Sequence, residues 1–192
     1  LVNPHLEVAI EVLWVLIPMY IASATATIPR GRGPAMDLGH IWRSDGRRIL
    51  GPSKTWSGFF FGSFFALPFA LLEAGLVLAA PPSLQIVPMY GATLVAAVPV
   101  GILLTFGAMS GDALGSFLKR RMGRESGART LLLDQLPFVV LPIGIGLVLF
   151  PATFVPAFLS LEGLAWLLVY TLALHAAFNW VGYWVGLKKV PW

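Results

Sequence analysis

Five stretches of the chain, at roughly 5–28, 56–80, 86–109, 136–156 and 163–187, are long and apolar enough to cross a bilayer. A helix needs about 20 mostly apolar residues to do so. In hydrocarbon every backbone N–H and C=O must find its partner within the protein, which leaves only α-helices or closed β-barrels. These stretches do not alternate with period two. The expected fold is therefore all-α, an integral membrane protein of five transmembrane helices forming a single polytopic domain over residues 1–192. Pro18, Pro68, Pro99 and Pro142 fall inside the stretches. Each would cost a soluble helix about 3 kcal/mol, but membrane helices accommodate such kinks. The first run lacks a basic n-region and a small-residue cleavage site, so it reads as a retained helix, not a removed signal peptide.

Charge sets the expected orientation. Arg30, Arg32, Arg43, Arg47, Arg48 and Lys54 fall between the first two stretches, and Lys119, Arg120, Arg121, Arg124 and Arg129 between the third and fourth. Lys188 and Lys189 follow the fifth, and no Lys or Arg stands in the opposite connections. The positive-inside rule then puts the N-terminus outside and the C-terminus in the cytoplasm, with two long basic cytoplasmic loops at about 29–55 and 110–135. A net charge of +4 with a pI near 9.8 would point to nucleic acid in a soluble chain. With 57% hydrophobic residues and 11% charged, it records orientation and contact with anionic headgroups instead, and no nucleic acid is expected. The absence of cysteine excludes disulfides, thiolate catalysis and Cys-based zinc sites.

Chemistry is expected on the cytoplasmic face, since long loops without evident structure are more often functional than connecting. Asp112 and Asp134 stand where the third stretch leaves the membrane and the fourth enters it. Each can cap a helix or pair with an arginine. Together, beside a crowd of cations, they also fit Mg²⁺, which takes one or two carboxylates and completes its shell with substrate phosphates and water. Gly111 and Gly115 permit close approach of a ligand or of a neighbouring helix. Lys119, Arg120 and Arg121 fall within one helical turn, as a topology signal or an anionic-headgroup contact.

His175 and Asn179, four apart, share a helix face, about 20 and 14 Å from Lys188 along the axis. They line an inner cavity or join two helices by hydrogen bonds. The segment GPSKT at 51–55 arrives too late after Gly46 to complete a P-loop, and no hydrophobic strand precedes it. It leads into a helix whose N-terminus favours anions. Ser53 and Thr55 can cap or donate, and Lys54 supplies a mobile charge. Phosphate cradle and capped helix start are both open.

The motifs DGRRILG-x-x-KTW-x-G, GD-x-x-GSF-x-KRR-x-G, LLDQLPF and H-x-x-x-N-x-x-GY-x-x-GLKKVPW, in this order from about Pro34 to Trp192, resemble the archaeal CDP-archaeol synthases. The GD-x-x-xS-x-x-KR portion and the following Asp also look like the CDP-diacylglycerol synthases, which act on ester lipids. The resemblance implies cytidylyl transfer from CTP to 2,3-bis-O-geranylgeranyl-sn-glycerol 1-phosphate, giving the CDP-lipid and pyrophosphate, at a multi-pass cell-membrane enzyme whose site faces the cytoplasm.

On this basis Asp112 and Asp134 are the expected Mg²⁺ ligands. Lys54, with Ser53 and Thr55, is expected at the CTP phosphates, and Lys119 and Arg120 at the lipid phosphate or pyrophosphate. Arg47 and Arg48 are secondary candidates, and His175 and Asn179 candidate cavity-lining residues. The family more often has Gly-Asp-Gly-Lys-Thr-Trp where this chain has Gly51-Pro52-Ser53-Lys54-Thr55-Trp56. Position 52 therefore offers no carboxylate, and Asp37 or Asp45 is left to replace it. A lipid transporter or flippase is the rival class, but no internal repeat is visible.

Overall fold

The computed structural model describes residues 3–81, 85–126, 130 and 132–187. The described helices are α1 (Pro4–Thr25), α2 (Trp56–Ala79), α3 (Leu94–Arg121), α4 (Pro137–Leu149), α5 (Pro151–Phe158) and α6 (Leu161–Trp184). Four of them, α1, α2, α3 and α6, are long and apolar enough to span a membrane, whereas α4 is a shorter apolar helix. The all-helical expectation is met, and Pro18, Pro68, Pro99 and Pro142 all lie inside helices.

Two expected boundaries are corrected. The fourth stretch, read as one span over 136–156, is broken at Phe150 between α4 and α5. Pro151 lacks an N–H and disfavours helical geometry in the residue before it, and Phe150 leaves the helical region at φ −133° and ψ 56°. The third stretch, expected to end at 109, continues as helix to Arg121. Asp112 and Lys119–Arg121 are therefore helical residues, and the segment leading to α4 begins only after α3. Its last turn carries Lys119, Arg120 and Arg121, charges that suit the negative end of the helix dipole.

Helix α1 is the hub, touching each of the other five helices. Val12, Val15, Leu16 and Met19 pack there against Val100 and Leu104 of α3, Phe138 and Val139 of α4, and Phe154 and Phe158 of α5. On α2, buried Glu73 accepts a hydrogen bond from Tyr90 Oη at 3.0 Å, tying the α2–α3 connection down. His5 Nδ1 meets the Glu162 carboxylate at 3.0 Å and joins the N-termini of α1 and α6. Every described Lys and Arg gathers at the other end of the bundle. Arg129, Lys188 and Lys189, part of the same charge pattern, lie outside the described residues.

At that cationic end the α1–α2 loop has a definite fold. Bridges Ala35–Thr55 and Ile41–Arg48 close it as two antiparallel contacts. Asp37, whose side chain is fully buried, accepts from Arg48 Nε at 3.2 Å and from the backbone N–H groups of Gly39, Leu50 and Gly51 at 3.0, 3.1 and 2.9 Å. Burial alone pushes the Asp37 carboxyl up, but these donors prevail and hold it well below the usual range. A depressed folded pKa stabilises above the unfolded value, near about pH 4, and the contribution fades as pH falls below it. Amide exchange protection at Leu50 and Gly51 should therefore weaken below about pH 4. At neutral pH, Asp37→Asn should lose roughly 1–3 kcal/mol of loop stability and speed tryptic cleavage at Arg43, Arg47 and Arg48. Unchanged cleavage would show that the carboxylate does not hold the loop.

Arg121 fastens this loop to α3. Its guanidinium lies 5.4 Å from the Trp42 ring and 5.2 Å from the Phe117 ring. Its Nη1 pairs with Asp45 at 3.2 Å, and its Nη2 donates to the Arg48 carbonyl at 2.7 Å. Lys54 and Thr55 are thereby carried to a fixed place beside α3.

Candidate functional site

A cavity of about 510 Å³ opens among the cationic ends of the helices. Its polar side chains come from five segments. Helix α3 contributes Met109, Asp112, Ser116 and Lys119, whose spacing of three and four keeps them on one face. The turn before α2 contributes Ser53, Lys54 and Thr55; the turn before α4, Asp134 and Gln135; α6, His175 and Asn179; and the end of α1 and its following turn, Ser23, Thr27 and Arg30.

Two ion pairs cross this space. Lys54 Nζ pairs with Asp112 Oδ2, and Lys119 Nζ with Asp134 Oδ1. Each joins residues from different elements, so the four charges also fix the elements that carry them. Asp134 Oδ2 accepts the Thr130 N–H at 2.7 Å, which shapes the turn before α4. The side chains of Lys54 and Asp112 are 22% and 33% exposed, and those of Lys119 and Asp134 14% and 25%. Water and solutes reach all four, and each lysine can exchange its carboxylate for another anion.

Thr55 is the N-cap of α2, with its Oγ1 accepting from Gly58 N–H at 3.2 Å. Of the two readings of GPSKT, the capped helix start is observed. The threonine caps the helix, while Lys54 and Ser53 face the cavity. Gly111 and Gly115 resolve in favour of helix packing. A Cβ on Gly111 would stand 2.2 Å from the Pro137 carbonyl oxygen, and one on Gly115 would stand 2.7 Å from that of Leu133. The absence of side chains presses the start of α4 onto α3, which brings Asp134 within reach of Lys119.

Eight of the expected residues line the cavity: Lys54, Ser53, Thr55, Asp112, Asp134, Lys119, His175 and Asn179. Arg120, Arg47 and Arg48 do not. Arg120 follows Lys119 on a helix and so points elsewhere. It is buried, donating to the Glu125 carbonyl at 2.8 Å. Arg48 is bound to Asp37, and Arg47 Nη1 reaches the Arg120 carbonyl at 3.4 Å. These arginines hold the loop that presents Lys54. Asp37 and Asp45 are engaged with Arg48 and Arg121, and neither lines the cavity in place of the carboxylate missing at position 52.

Sequence reasoning missed Arg30, Ser23, Thr27, Ser116 and Gln135. The one signal for the first three was polarity at the end of an otherwise apolar span. Among the described residues no group of three or more His, Asp or Glu is placed to hold a metal. Two carboxylates, those of Asp112 and Asp134, line the cavity.

A family model described as CarS-like, CDP-archaeol synthase, matches residues 5–192. The CDP-archaeol synthase of Archaeoglobus fulgidus is 36% identical over 196 residues, covering 97% of this chain and 99% of the relative. That of Methanococcus aeolicus is 38% identical over 179 residues, covering 92% and 93%. Among solved structures, one described as an intramembrane enzyme for archaeal membrane lipids biosynthesis aligns with a TM-score of 0.61 and 31% identity. It covers 85% of this chain and 92% of its own.

Proposed function

The chain belongs to the CDP-archaeol synthase family, and on that premise we propose that its cavity is where CTP and the lipid phosphate react. Formation of CDP-archaeol is the activity. The observation that carries the assignment of the site is the pair of lysine–carboxylate contacts, Lys54–Asp112 and Lys119–Asp134, on the walls of one cavity.

In the reaction an oxygen of the lipid phosphate bonds to the α-phosphorus of CTP while the bond to the β-phosphate oxygen breaks and pyrophosphate leaves. The attacking phosphate is already ionised near neutral pH, so no protein nucleophile or strong base is required. The main obstacle is repulsion between two anions. Lys54 and Lys119 answer it by exchanging their carboxylates for phosphate oxygens, Lys54 on CTP and Lys119 on the lipid phosphate or pyrophosphate. Ser53 and Thr55 flank Lys54, and His175 and Asn179 form the inner wall.

The exchange releases Asp112 and Asp134. Both are hard oxygen donors, and two carboxylates supplemented by substrate phosphates are a donor set that suits Mg²⁺. When bound, Mg²⁺ would neutralise phosphate charge and fix the approach of the reactants. The gathering of cations at this end supports a cytoplasmic site, by the positive-inside rule, in a cell membrane that keeps the isoprenoid chains in lipid.

Purified protein incubated with labelled CTP, the geranylgeranylated glycerol phosphate and Mg²⁺ should yield CDP-lipid and pyrophosphate in equal amounts, and EDTA should stop it. Undiminished turnover in EDTA would refute the metal assignment. Lipid movement without nucleotide consumption would refute the site as an active site. Lys54→Ala should raise the KM for CTP by roughly 10–100-fold, the worth of one hydrogen bond to a charged group. An unchanged KM would remove Lys54 from the nucleotide.

A further inference from the structure

The α1–α2 loop is built inside out. Its buried centre is the Asp37 carboxylate, while its outer edge carries Leu38, Ile41 and Trp42 at 65%, 59% and 42% exposure. Nothing within the fold accounts for Leu38. Its side chain buries little against the protein, and its backbone is left-handed at φ 47°, with Gly39 following at φ 84°. A bulky residue in that region is strained, and Gly or Asn would occupy it at lower cost. An exposed and strained leucine points to a surface outside the fold that meets it.

Three observations identify that surface. The edge continues the apolar face of a spanning helix, because the Trp42 ring packs edge-on against Phe117 of α3 with centroids 5.5 Å apart. At 100° per residue, Leu114, Phe117, Leu118 and Arg121 share one face of α3, and both leucines on it are exposed. The cavity residues Asp112, Ser116 and Lys119 lie on the opposite face. The polarity at the end of α3 thus belongs to the cavity side, and the outer side stays apolar up to Arg121. Cations border the edge as well. Arg43 follows Trp42, Arg124 stands two residues beyond exposed Met122, and neither side chain forms a hydrogen bond or ion pair with a described residue. Finally, tryptophan beside arginine at the end of a spanning helix is the composition of a membrane–water interface. There, apolar side chains enter the acyl boundary and cations meet headgroup phosphates.

We propose that the Leu38–Trp42 edge is a membrane foot that seats the α1–α2 loop in the anionic headgroup layer of the bilayer. Leu38 and Ile41 enter the acyl boundary, Trp42 stands at headgroup level, and Arg43 and Arg124 pair with lipid phosphates. The loop that presents Lys54 is then held from two sides, by the Arg121 clamp on α3 and by the bilayer. An exposed apolar patch fits a protein partner or a membrane in general. Lipid is favoured here because the patch runs on from a helix face that already lies in the membrane. The contact stands apart from the cavity and does not depend on what reacts there.

The chain contains no cysteine, so Leu38→Cys and Ile41→Cys each create a unique thiol for a fluorescent NBD label. Ser126→Cys, at an exposed position beyond α3, supplies the aqueous control. The full chain is placed in nanodiscs of phosphatidylcholine and phosphatidylglycerol, with a nitroxide either on the lipid headgroup or at the end of the acyl chain. Leu38 and Ile41 are both exposed, so the fold should survive labelling at either, and CDP-lipid formation by the labelled protein checks it. The headgroup nitroxide should quench the labels at 38 and 41 about threefold more than the label at 126, and aqueous iodide should quench them correspondingly less. Omitting phosphatidylglycerol should reduce the lipid quenching about twofold. Iodide reaching positions 38 and 41 as readily as 126 would overturn the proposal and leave the edge to a protein partner. Stronger quenching from the acyl-chain end than from the headgroup would overturn the interfacial placement. Lipid quenching unchanged without phosphatidylglycerol would overturn the anionic-headgroup contact.

Discussion

Asn at position 112 should reduce CDP-archaeol formation by about 10²–10³-fold without weakening CTP binding measured in the absence of divalent cations. Asp112 has two proposed duties: it neutralises Lys54 in the empty site, and it becomes an oxygen ligand once that lysine moves to phosphate. Asn removes the charge at nearly constant volume. Lys54 is then left unpaired, so bare CTP should bind as well as before or more tightly. The strengthening of CTP binding by Mg²⁺ should be lost together with turnover. Asp134→Asn should show the same pattern with a structural penalty added, because Asp134 also receives the Thr130 N–H that shapes the turn before α4. A merely destabilised protein would lose both kinds of binding together. Near-normal Mg²⁺-dependent transfer by both variants would sink the metal assignment.

These carboxylates and their lysines were legible in the sequence because each lies in a short motif at the edge of an apolar stretch. The arginines in the same motifs were misplaced for a physical reason. Neighbours on a helix point about 100° apart at 3.6 residues per turn, so a run such as Lys119-Arg120-Arg121 sends only some of its charges to a given cavity. Lys119 enters, Arg120 is buried behind it, and Arg121 clamps the loop. Helix register would have been needed to separate them. The run was read as a helical turn inside a connecting segment, separate from the third span, because Gly, Ser, Asp and Lys dilute the apolar signal after residue 109. Helix α3 persists there because its glycines receive α4 and its basic last turn suits the dipole. The break at Phe150 had the opposite problem, since hydropathy runs unbroken across it and only Pro151 marks the boundary. Arg30 belongs to no motif. It reaches the site through a turn with left-handed backbone at Arg30 and Gly31, φ 54° and 71°, which apolar periodicity does not register.

Gly111→Leu should abolish activity, and Gly111→Ala should already lower it more than tenfold, although neither change touches substrate. The β-carbon that Ala introduces would meet the Pro137 carbonyl oxygen at 2.2 Å and Phe138 Cα at 2.7 Å. Both neighbours are backbone, so no rotamer change relieves the clash and α4 must move away from α3. Overpacking of this kind costs typically about 1–3 kcal/mol. The larger consequence is geometric, because Asp134 precedes Pro137 by one turn and must meet Lys119 across the same contact. Displacing α4 therefore separates the pair and spoils the cavity wall. Gly144 of α4 supplies the control, since a Cβ there meets nothing within 4 Å. Gly144→Ala should be silent in thermal stability in detergent and in the KM for CTP, while Gly111→Ala should lower the first and raise the second. Equivalent behaviour of the two alanine variants would show that the close approach of α4 to α3 is not what positions Asp134.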